Sequence, residues 1–153
     1  MKTKLLTICL LLITSQVFAD PPFLNEDYWY LIDNHVCKGK DTSKWNNCYN
    51  YTVYNYGALK KIVFYKNGMK NGESNIYNDQ GFLIFKSFYV DDKKEGWETS
   101  YHHKDTDAFK YEGLKIADEV FYKNGKKEGL YTRYDEHGEI IEEENYKNGK
   151  LIK

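Results

Sequence analysis

The sequence lacks an excess of charge of either sign, and it lacks the length of a large multidomain enzyme. Its 22 lysines and arginines nearly balance 23 aspartates and glutamates, which gives a net charge of −1. That balance predicts no basic field for nucleic acid or anionic lipid. A mean hydropathy of −0.75 argues against a membrane-spanning fold, and 153 residues fit one domain or a short array of repeats.

Recognisable catalytic motifs are also missing. The chain has no nucleophile elbow, no phosphate-binding glycine loop and no HExxH helix. His102 and His103 lie near Asp105 and Asp107, but neighbouring side chains of a strand point to opposite faces, and this spacing is not a standard zinc pattern. The sequence therefore predicts a protein that is not an enzyme and holds no metal or cofactor, with these histidines in a solvated loop.

Aromatic residues are what the chain has in abundance. They make up 17% of it, including 15 tyrosines, beside only two prolines. Tyr, Phe and Trp favour strands, and aromatic cross-strand pairs help to hold a small sheet together. The composition therefore favours a β protein.

The first nineteen residues have the pattern of a secretory signal peptide. Two lysines precede a nearly continuous apolar run, Leu5–Ile13, which is too short to span a bilayer. Val17–Ala19 then offers a cleavage site before Asp20, and an uncleaved anchor is the alternative. We expect residues 1–19 to be removed and the chain to be exported, either to a periplasm or to the medium, with no remaining membrane span.

Cleavage would change the cysteine count from three to two. Cys9 leaves with the signal peptide, and Cys37 and Cys48 remain. An exported chain with two cysteines most simply forms one disulfide, which would stabilise the fold by roughly 3 kcal/mol in the chain-entropy model. The alternative makes Cys37 a nucleophile with His35 as its base, a spacing that carries no specificity. We predict a Cys37–Cys48 disulfide.

An internal repeat dominates the rest of the chain. Three segments share a Gly seven residues after one Tyr and five residues before another: Tyr65–Tyr77, Tyr89–Tyr101 and Tyr122–Tyr134. The period is 24 residues, except that the middle copy has about nine residues inserted near His102 to Tyr111. A fourth copy begins at Tyr146. Self-similarity at a fixed period indicates a repeat architecture.

Each copy has the marks of strands joined by tight turns. Three copies contain Asn-Gly, the preferred pair of a type I′ hairpin turn, whereas the middle copy has Asp91-Asp92. Second turns are expected at Gly81 and Gly138. Residues 51–153 are therefore predicted to form an all-β fold, an elongated antiparallel sheet of repeated β-hairpins. Residues 20–50 are predicted to form a disulfide-pinned N-terminal cap on the first repeat.

Side chains at odd offsets from the repeated glycine share one face of a strand. This predicts an aromatic row that stays partly accessible, and Tyr and Trp are favoured anchors of interfaces. A second candidate is the acidic stretch near the end, either a docking patch for a basic partner or a solvated face. The candidate partner-binding residues are Tyr77, Trp97, Tyr101, Tyr131 (at the opposite strand phase), Tyr134, Glu142, Glu143 and Glu144.

The pattern Y-x-N-G-K-x-x-G…Y…G resembles the MORN-variant repeat of the YwqK-type antitoxin family over roughly residues 54–153. The resemblance implies a MORN-like meander of β-hairpins used for binding, and an antitoxin-like or immunity-like role toward a toxin. The middle copy departs from the pattern through its Asp91-Asp92 turn and its insertion. Residues 20–50 are not covered by the resemblance.

Together these features predict an exported, non-enzymatic repeat protein that binds a protein partner. One alternative is a structural or surface-associated repeat protein of the cell envelope. Another is an enzyme acting on an envelope polymer, which would need carboxylates converging in a concave site.

Overall fold

A computed structural model describes residues 35–103 and 114–152. In these ranges ten strands form one antiparallel sheet, beside a single-turn 3-10 helix at Thr42–Lys44. The strands are β1 (Cys48–Val53), β2 (Leu59–Lys66), β3 (Met69–Tyr77), β4 (Leu83–Val90), β5 (Lys93–Lys94), β6 (Gly96–Tyr101), β7 (Ile116–Lys123), β8 (Lys126–Tyr134), β9 (Ile140–Lys147) and β10 (Lys150–Ile152). The predicted all-β fold is confirmed, whereas the signal peptide, residues 20–34 of the predicted cap and most of the insertion lie outside the described residues.

The strands neighbour one another in chain order, so the sheet is a meander. Its order is β1-β2-β3-β4-β6-β7-β8-β9-β10, and the short β5 also pairs with β4. The sheet is open, and a single layer of this kind has two faces and little interior of its own. No helix in the described part of the chain is long and apolar enough to cross a membrane.

Along one edge of the sheet, where the strands end, the hairpin turns adopt the predicted type I′ geometry. Both residues of each Asn-Gly pair have positive φ, for example 51° at Asn67 and 79° at Gly68. The glycine-free pair forms the same turn, with φ of 47° at Asp91 and 65° at Asp92. Aspartate adopts this conformation more readily than most residues, and here a contact with the preceding hairpin supports it, because Asp92 Oδ1 accepts a bond from the Lys70 amide at 2.9 Å.

The turns at the opposite edge are three-residue loops that end in a glycine at positive φ. In the second unit the Asn78 amide donates to the Phe82 carbonyl at 2.9 Å, and Gly81 has a φ of 88°. The Asn78 side chain also accepts hydrogen bonds from the amides of Gln80 and Phe82. This combination is typical of a type I turn with a following bulge glycine.

The inserted residues stand in place of one of these loops. The His102 amide donates to the Lys115 carbonyl at 2.9 Å, the same bond that closes the shorter loops. His102 Nε2 also lies 2.9 Å from the Tyr134 carbonyl of the next unit. The insertion therefore leaves the strand pairing on either side unchanged in pattern.

Successive hairpins are joined by a contact that we call the turn latch. A β-bulge lies opposite each of Phe64, Phe88 and Phe121. There the next segment of the sheet has three residues instead of one, and each of these bulges contains a glycine at positive φ. The bulge frees a lysine carbonyl, which accepts a turn amide of the next hairpin. The three bonds are Asp92 N to Lys70 O at 3.0 Å, Gly125 N to Lys94 O at 2.8 Å, and Gly149 N to Lys127 O at 2.8 Å.

Side chains complete each latch. Glu95 accepts a hydrogen bond from the Asn124 amide at 2.7 Å, and Glu128 does the same for the Asn148 amide. The latch lysines also lie over the first tyrosine of the next unit, an arrangement that favours a cation–π interaction. Their ammonium-to-ring distances are 5.2 Å for Lys70 and Tyr89, 4.7 Å for Lys94 and Tyr122, and 4.6 Å for Lys127 and Tyr146.

Residues 35–47, the described part of the predicted cap, precede β1. They contact the first hairpin turn through hydrogen bonds equivalent to those of the turn latch. Cys37 and Cys48 are joined in a disulfide, as predicted. Within the loop that this bond closes, the Trp45 carbonyl accepts the Gly68 amide at 2.7 Å and the Asn46 side chain accepts the Asn67 amide. The Trp45 ring meets the Tyr65 ring edge-on at 4.9 Å. Trp45 and Asn46 therefore replace the lysine and glutamate of the later units.

The small core lies under this cap. Leu59, Ile62 and Tyr77 are buried together, and four partly buried residues pack against them: Val36, Tyr49, Tyr51 and Leu83. Val36, which precedes β1, forms an isolated parallel bridge with Tyr49 of β1. Burying each large apolar side chain contributes about 1.5–3 kcal/mol, so this end of the sheet has the main hydrophobic contribution to stability among the described residues.

Candidate interaction face

Alternation along the strands sorts the side chains onto two faces. We call one the tryptophan face, and it is marked by Phe64, Phe88, Trp97, Phe121 and Leu130. We call the other the serine face, and it is marked by Ser74, Ser87 and Ser100. Exposed apolar side chains lie on both faces, and Trp97, Leu130 and Phe88 are those on the tryptophan face at the middle of the sheet.

An apolar row crosses the tryptophan face in the middle of the sheet. Trp97 is 54% exposed, Leu130 is 45% exposed and Phe88 is 43% exposed. The Trp97 ring meets the Phe121 ring edge-on at 5.4 Å, and this contact restricts the orientation of Trp97. Exposed apolar side chains that lie side by side are typical of interaction surfaces. We call Phe88, Trp97, Phe121 and Leu130 the apolar row.

Tyrosines form a second line on the same face. Tyr101 lies opposite Ile116, and Tyr134 lies opposite Ile140. The Tyr134 hydroxyl donates to Glu119 at 2.6 Å, and this bond is the main reason that the pKa of Tyr134 is raised. The pKa of Tyr101 is also raised, chiefly by burial. Both hydroxyls are therefore neutral donors across the physiological range.

Two predicted contact residues are not accessible. Tyr77 is buried in the core under the cap, where it packs with Leu59 and Ile62. Tyr131 is buried on the serine face, as its strand phase indicates. The sequence predicts only that part of the row stays accessible, and in the structure the cap covers Tyr77 while a hydrogen-bond network encloses Tyr131. Trp97, Tyr101 and Tyr134 remain as surface residues.

The network around Tyr131 is built on one carboxylate. Asp118 accepts hydrogen bonds from the Tyr131 hydroxyl at 2.5 Å, from Arg133 Nε at 2.8 Å and from the Ser100 hydroxyl at 2.8 Å. Arg133 also contacts Glu142 at 2.8 Å. This cluster links β6, β7, β8 and β9. The later units are therefore held together by polar contacts between strands, whereas the first unit is held together by apolar contacts under the cap.

The pKa values in this network follow from burial and hydrogen bonding. Burial by itself would raise the pKa of Asp118, but the bonds from Tyr131, Arg133 and Ser100 outweigh it and hold that pKa below its usual range. Burial, followed by the bond to Asp118, raises the pKa of Tyr131 to about 12. The cluster is therefore a carboxylate held ionised beside a tyrosine held neutral.

The three consecutive glutamates do not form one patch. Glu142 and Glu144 lie on the serine face, where Glu142 pairs with Arg133 and Glu144 accepts the Tyr146 hydroxyl at 2.6 Å. Glu143 lies on the tryptophan face, opposite Thr132. Only Glu143 is fully exposed. A docking surface made of all three side chains would have to include both faces of β9.

The histidines considered as metal ligands are placed at the edge of the sheet. His102 contacts the Tyr134 carbonyl, and the His103 ring lies 5.1 Å from the Phe82 ring. Asp105 and Asp107 lie outside the described residues. Across residues 35–103 and 114–152, no group of three or more His, Cys, Asp or Glu side chains is arranged to hold a metal ion.

Phe88 and Phe121 were not among the sequence-predicted contact residues. A signal for them exists, because a Phe precedes the first Tyr in three units: Phe64, Phe88 and Phe121. The bulge opposite each Phe is what brings these residues beside Trp97 and Leu130, and a bulge of this size is not read from strand alternation alone.

Comparison with protein-family models finds no family that matches this chain. Comparison with curated proteins likewise finds no match.

Proposed function

We propose that this chain is an exported, non-enzymatic binding module that holds a protein partner on the tryptophan face. The main observation behind this proposal is the apolar row. Trp97 is half exposed at the centre of a sheet whose turns and latches restrict its backbone, and large aromatic residues with little freedom to lose are common anchors of interfaces. Tyr101, on the same face of β6, adds a hydroxyl group, whereas the Tyr134 hydroxyl already donates to Glu119.

Export is supported by the disulfide. Such bonds persist in oxidising compartments and are rare where thiols are kept reduced, and Cys37–Cys48 fits that pattern.

We further propose that the repeats are of the MORN-variant type and that the partner is a toxin which this protein neutralises. The hairpin period and the Asn-Gly turns are what support that assignment.

Site-specific photocrosslinking tests the proposed face. A photoreactive phenylalanine analogue replaces Trp97 in the protein expressed in its native host, and the matched control carries the analogue at Phe85. Phe85 is similarly exposed but lies on the serine face. We expect one discrete protein adduct from position 97 and none from position 85. Equal adducts from both positions, or none from either, would contradict the proposal.

Once a partner is identified, affinity gives the second test. Replacing Trp97 and Tyr101 together by Ala should weaken binding by about 2 kcal/mol or more, whereas Phe85→Ala should leave it unchanged. Circular dichroism checks that each variant is folded. A partner that binds the Trp97 and Tyr101 variant with native affinity would place its site elsewhere.

The structural alternative rests on the turn latches, which connect every hairpin to the next without help from a ligand. A protein that serves only as a surface-associated scaffold would yield no discrete adduct from Trp97. It would instead lose its role when the latches are broken, for example by Glu95→Ala with Glu128→Ala.

A further inference from the structure

Charge is sorted between the two edges of the sheet, although the net charge of the chain is close to zero. The edge with the type I′ turns comprises residues 66–70, 91–95, 123–128 and 147–150, which hold nine lysines and four acidic residues. The three shorter loops at the opposite edge, residues 54–58, 78–82 and 135–139, hold four acidic residues and no lysine or arginine, and residues 102–115 between β6 and β7 hold three lysines and three acidic residues. We call the first the lysine edge.

The acids of the lysine edge are engaged in holding its turns. Asp92, Glu95 and Glu128 accept backbone amides of neighbouring segments at 2.7–2.9 Å, and Asp91 accepts the Asn71 side chain. A carboxylate keeps its charge when it accepts a backbone amide, so these acids still offset part of the lysine charge. Nine lysines and four acids leave the lysine edge with a net formal charge of +5.

Two pairs of lysines face each other directly across strands. Lys123 lies opposite Lys126, and Lys147 lies opposite Lys150. All four side chains are exposed, and none forms an ion pair with a carboxylate of the described residues. Like charges placed directly opposite are unfavourable in a sheet. The fold does not require them, because the equivalent pairs in the first two units are Lys66 with Met69 and Val90 with Lys93.

Lys123 and Lys126 line a concave surface, and Lys147 and Lys150 flank the type I′ turn next to it. A depression of about 350 Å³ lies between the last two type I′ turns, lined by Lys123, Asn124, Lys126, Glu128 and Asn148. The Lys126 stem passes close to Gly149, where an added Cβ would lie 3.6 Å from the Lys126 Cβ. The two turns are two strands apart, which is about 10 Å at the usual strand spacing. The strand pairing therefore places these lysines in a line across the ends of β7, β8, β9 and β10.

We propose that the lysine edge at Lys123, Lys126, Lys147 and Lys150 binds a linear anionic polysaccharide. A chain polymer with regularly spaced acidic groups matches cations that lie in a line, and its binding relieves the repulsion within each lysine pair. Single-stranded nucleic acids fit less well, because they need free aromatic faces for stacking, and here Lys94 and Lys127 lie over the rings of Tyr122 and Tyr146. This inference does not depend on the partner proposed for the tryptophan face.

Heparin, a linear sulfated polysaccharide, is the probe. Its affinity is measured by calorimetry at about 50 mM salt and again at higher salt, since ionic contacts weaken as salt rises. The test variant carries Lys123→Gln, Lys126→Gln, Lys147→Gln and Lys150→Gln. The matched control loses the same four charges elsewhere, through Lys38→Gln, Lys40→Gln, Lys60→Gln and Lys61→Gln.

We expect the test variant to bind heparin at least about tenfold more weakly, with a shallower salt dependence, while the control stays within about twofold of the native protein. The thermal midpoint of the test variant should be unchanged or higher, because repulsive pairs are removed. Equal losses in both variants, or no heparin binding by the native protein, would overturn the proposal. Binding to anionic vesicles or to single-stranded DNA in preference to heparin would also overturn it.

Discussion

The two ends of the sheet contain equivalent residues in different surroundings. Leu59 and Ile140 occupy the same position in the repeat, yet Leu59 is 4% exposed and Ile140 is 55% exposed. The difference is the cap, which covers the first unit and has no counterpart over the last one among the described residues. A single-layer sheet cannot bury both of its faces, so each apolar position is buried only where another segment covers it.

The later units are held by other means. Around β7, β8 and β9 the contacts are polar, with Asp118, Tyr131 and Arg133 at their centre. The first unit is therefore stabilised mainly by apolar burial and a disulfide, and the later ones mainly by hydrogen bonds and the turn latch. This contrast predicts that the two ends respond differently to mutation, reduction and acid.

The largest difference should come from the disulfide. Replacing Cys37 and Cys48 by Ser should lower the free energy of unfolding by about 3 kcal/mol, because the cap is no longer tied to β1. Amide hydrogen exchange should accelerate in β1 and β2 and stay near native in β8 and β9. The native protein with a reducing agent serves as the control and should match the variant. Uniform acceleration across the sheet would contradict the contrast.

The next prediction compares the equivalent aliphatic positions. Leu59→Ala should cost about 2 kcal/mol, at the low end for a buried leucine because the core is small. Ile140→Ala should cost less than about 0.5 kcal/mol, as expected for an exposed side chain. Urea unfolding of both variants measures this. Similar costs would mean that Ile140 is covered in solution.

A pair of turn glycines isolates the contact made by the cap. A Cβ at Gly68 would lie 3.0 Å from the Ser43 Cα, whereas at Gly125 it would meet only the Lys93 side chain at 3.7 Å. Both glycines have nearly the same φ, so the conformational strain of Ala is shared. Gly68→Ala should therefore cost about 1 kcal/mol more than Gly125→Ala. Equal thermal shifts would show that the cap does not press on this turn.

The smallest expected effect is a dependence on pH in the later units. Because the pKa of Asp118 is lowered in the folded state, its stabilisation is present above about pH 3.9, the ordinary value for Asp, and is lost as pH falls below it. The contribution should be below about 1 kcal/mol, since the site is partly exposed. Asp118→Asn should remove this acid sensitivity, and the control Asp79→Asn should retain it, in urea unfolding between about pH 3 and 7.

Much of this architecture could be predicted from the sequence because the turns have local causes. Asn-Gly pairs, the 24-residue period and two cysteines near one end are signals that act over a few residues. The role of Trp45 could not be predicted in the same way. It replaces a latch lysine only because the disulfide loop folds back onto the first hairpin turn, which is a contact between distant parts of the chain.

The candidate site was predicted less completely, also for a physical reason. Alternation along a strand places Trp97, Tyr101 and Tyr134 together, but it does not indicate which of the repeated tyrosines the cap will bury. Tyr77 occupies the same position in the repeat as Tyr101, and of the two it is Tyr77 that packs in the core under the cap. A similar limit applies to charge, since a net value of −1 gave no sign that nine lysines lie along one edge.

The turn latch has a consequence for how such proteins change in length during evolution. Each hairpin offers a turn to the unit before it and a bulge to the unit after it, using the same backbone groups each time. Duplication or deletion of a whole unit therefore creates a junction of the kind already present. Gain or loss of one 24-residue module changes the span of the sheet by two strands while the cap and the last hairpin keep their contacts.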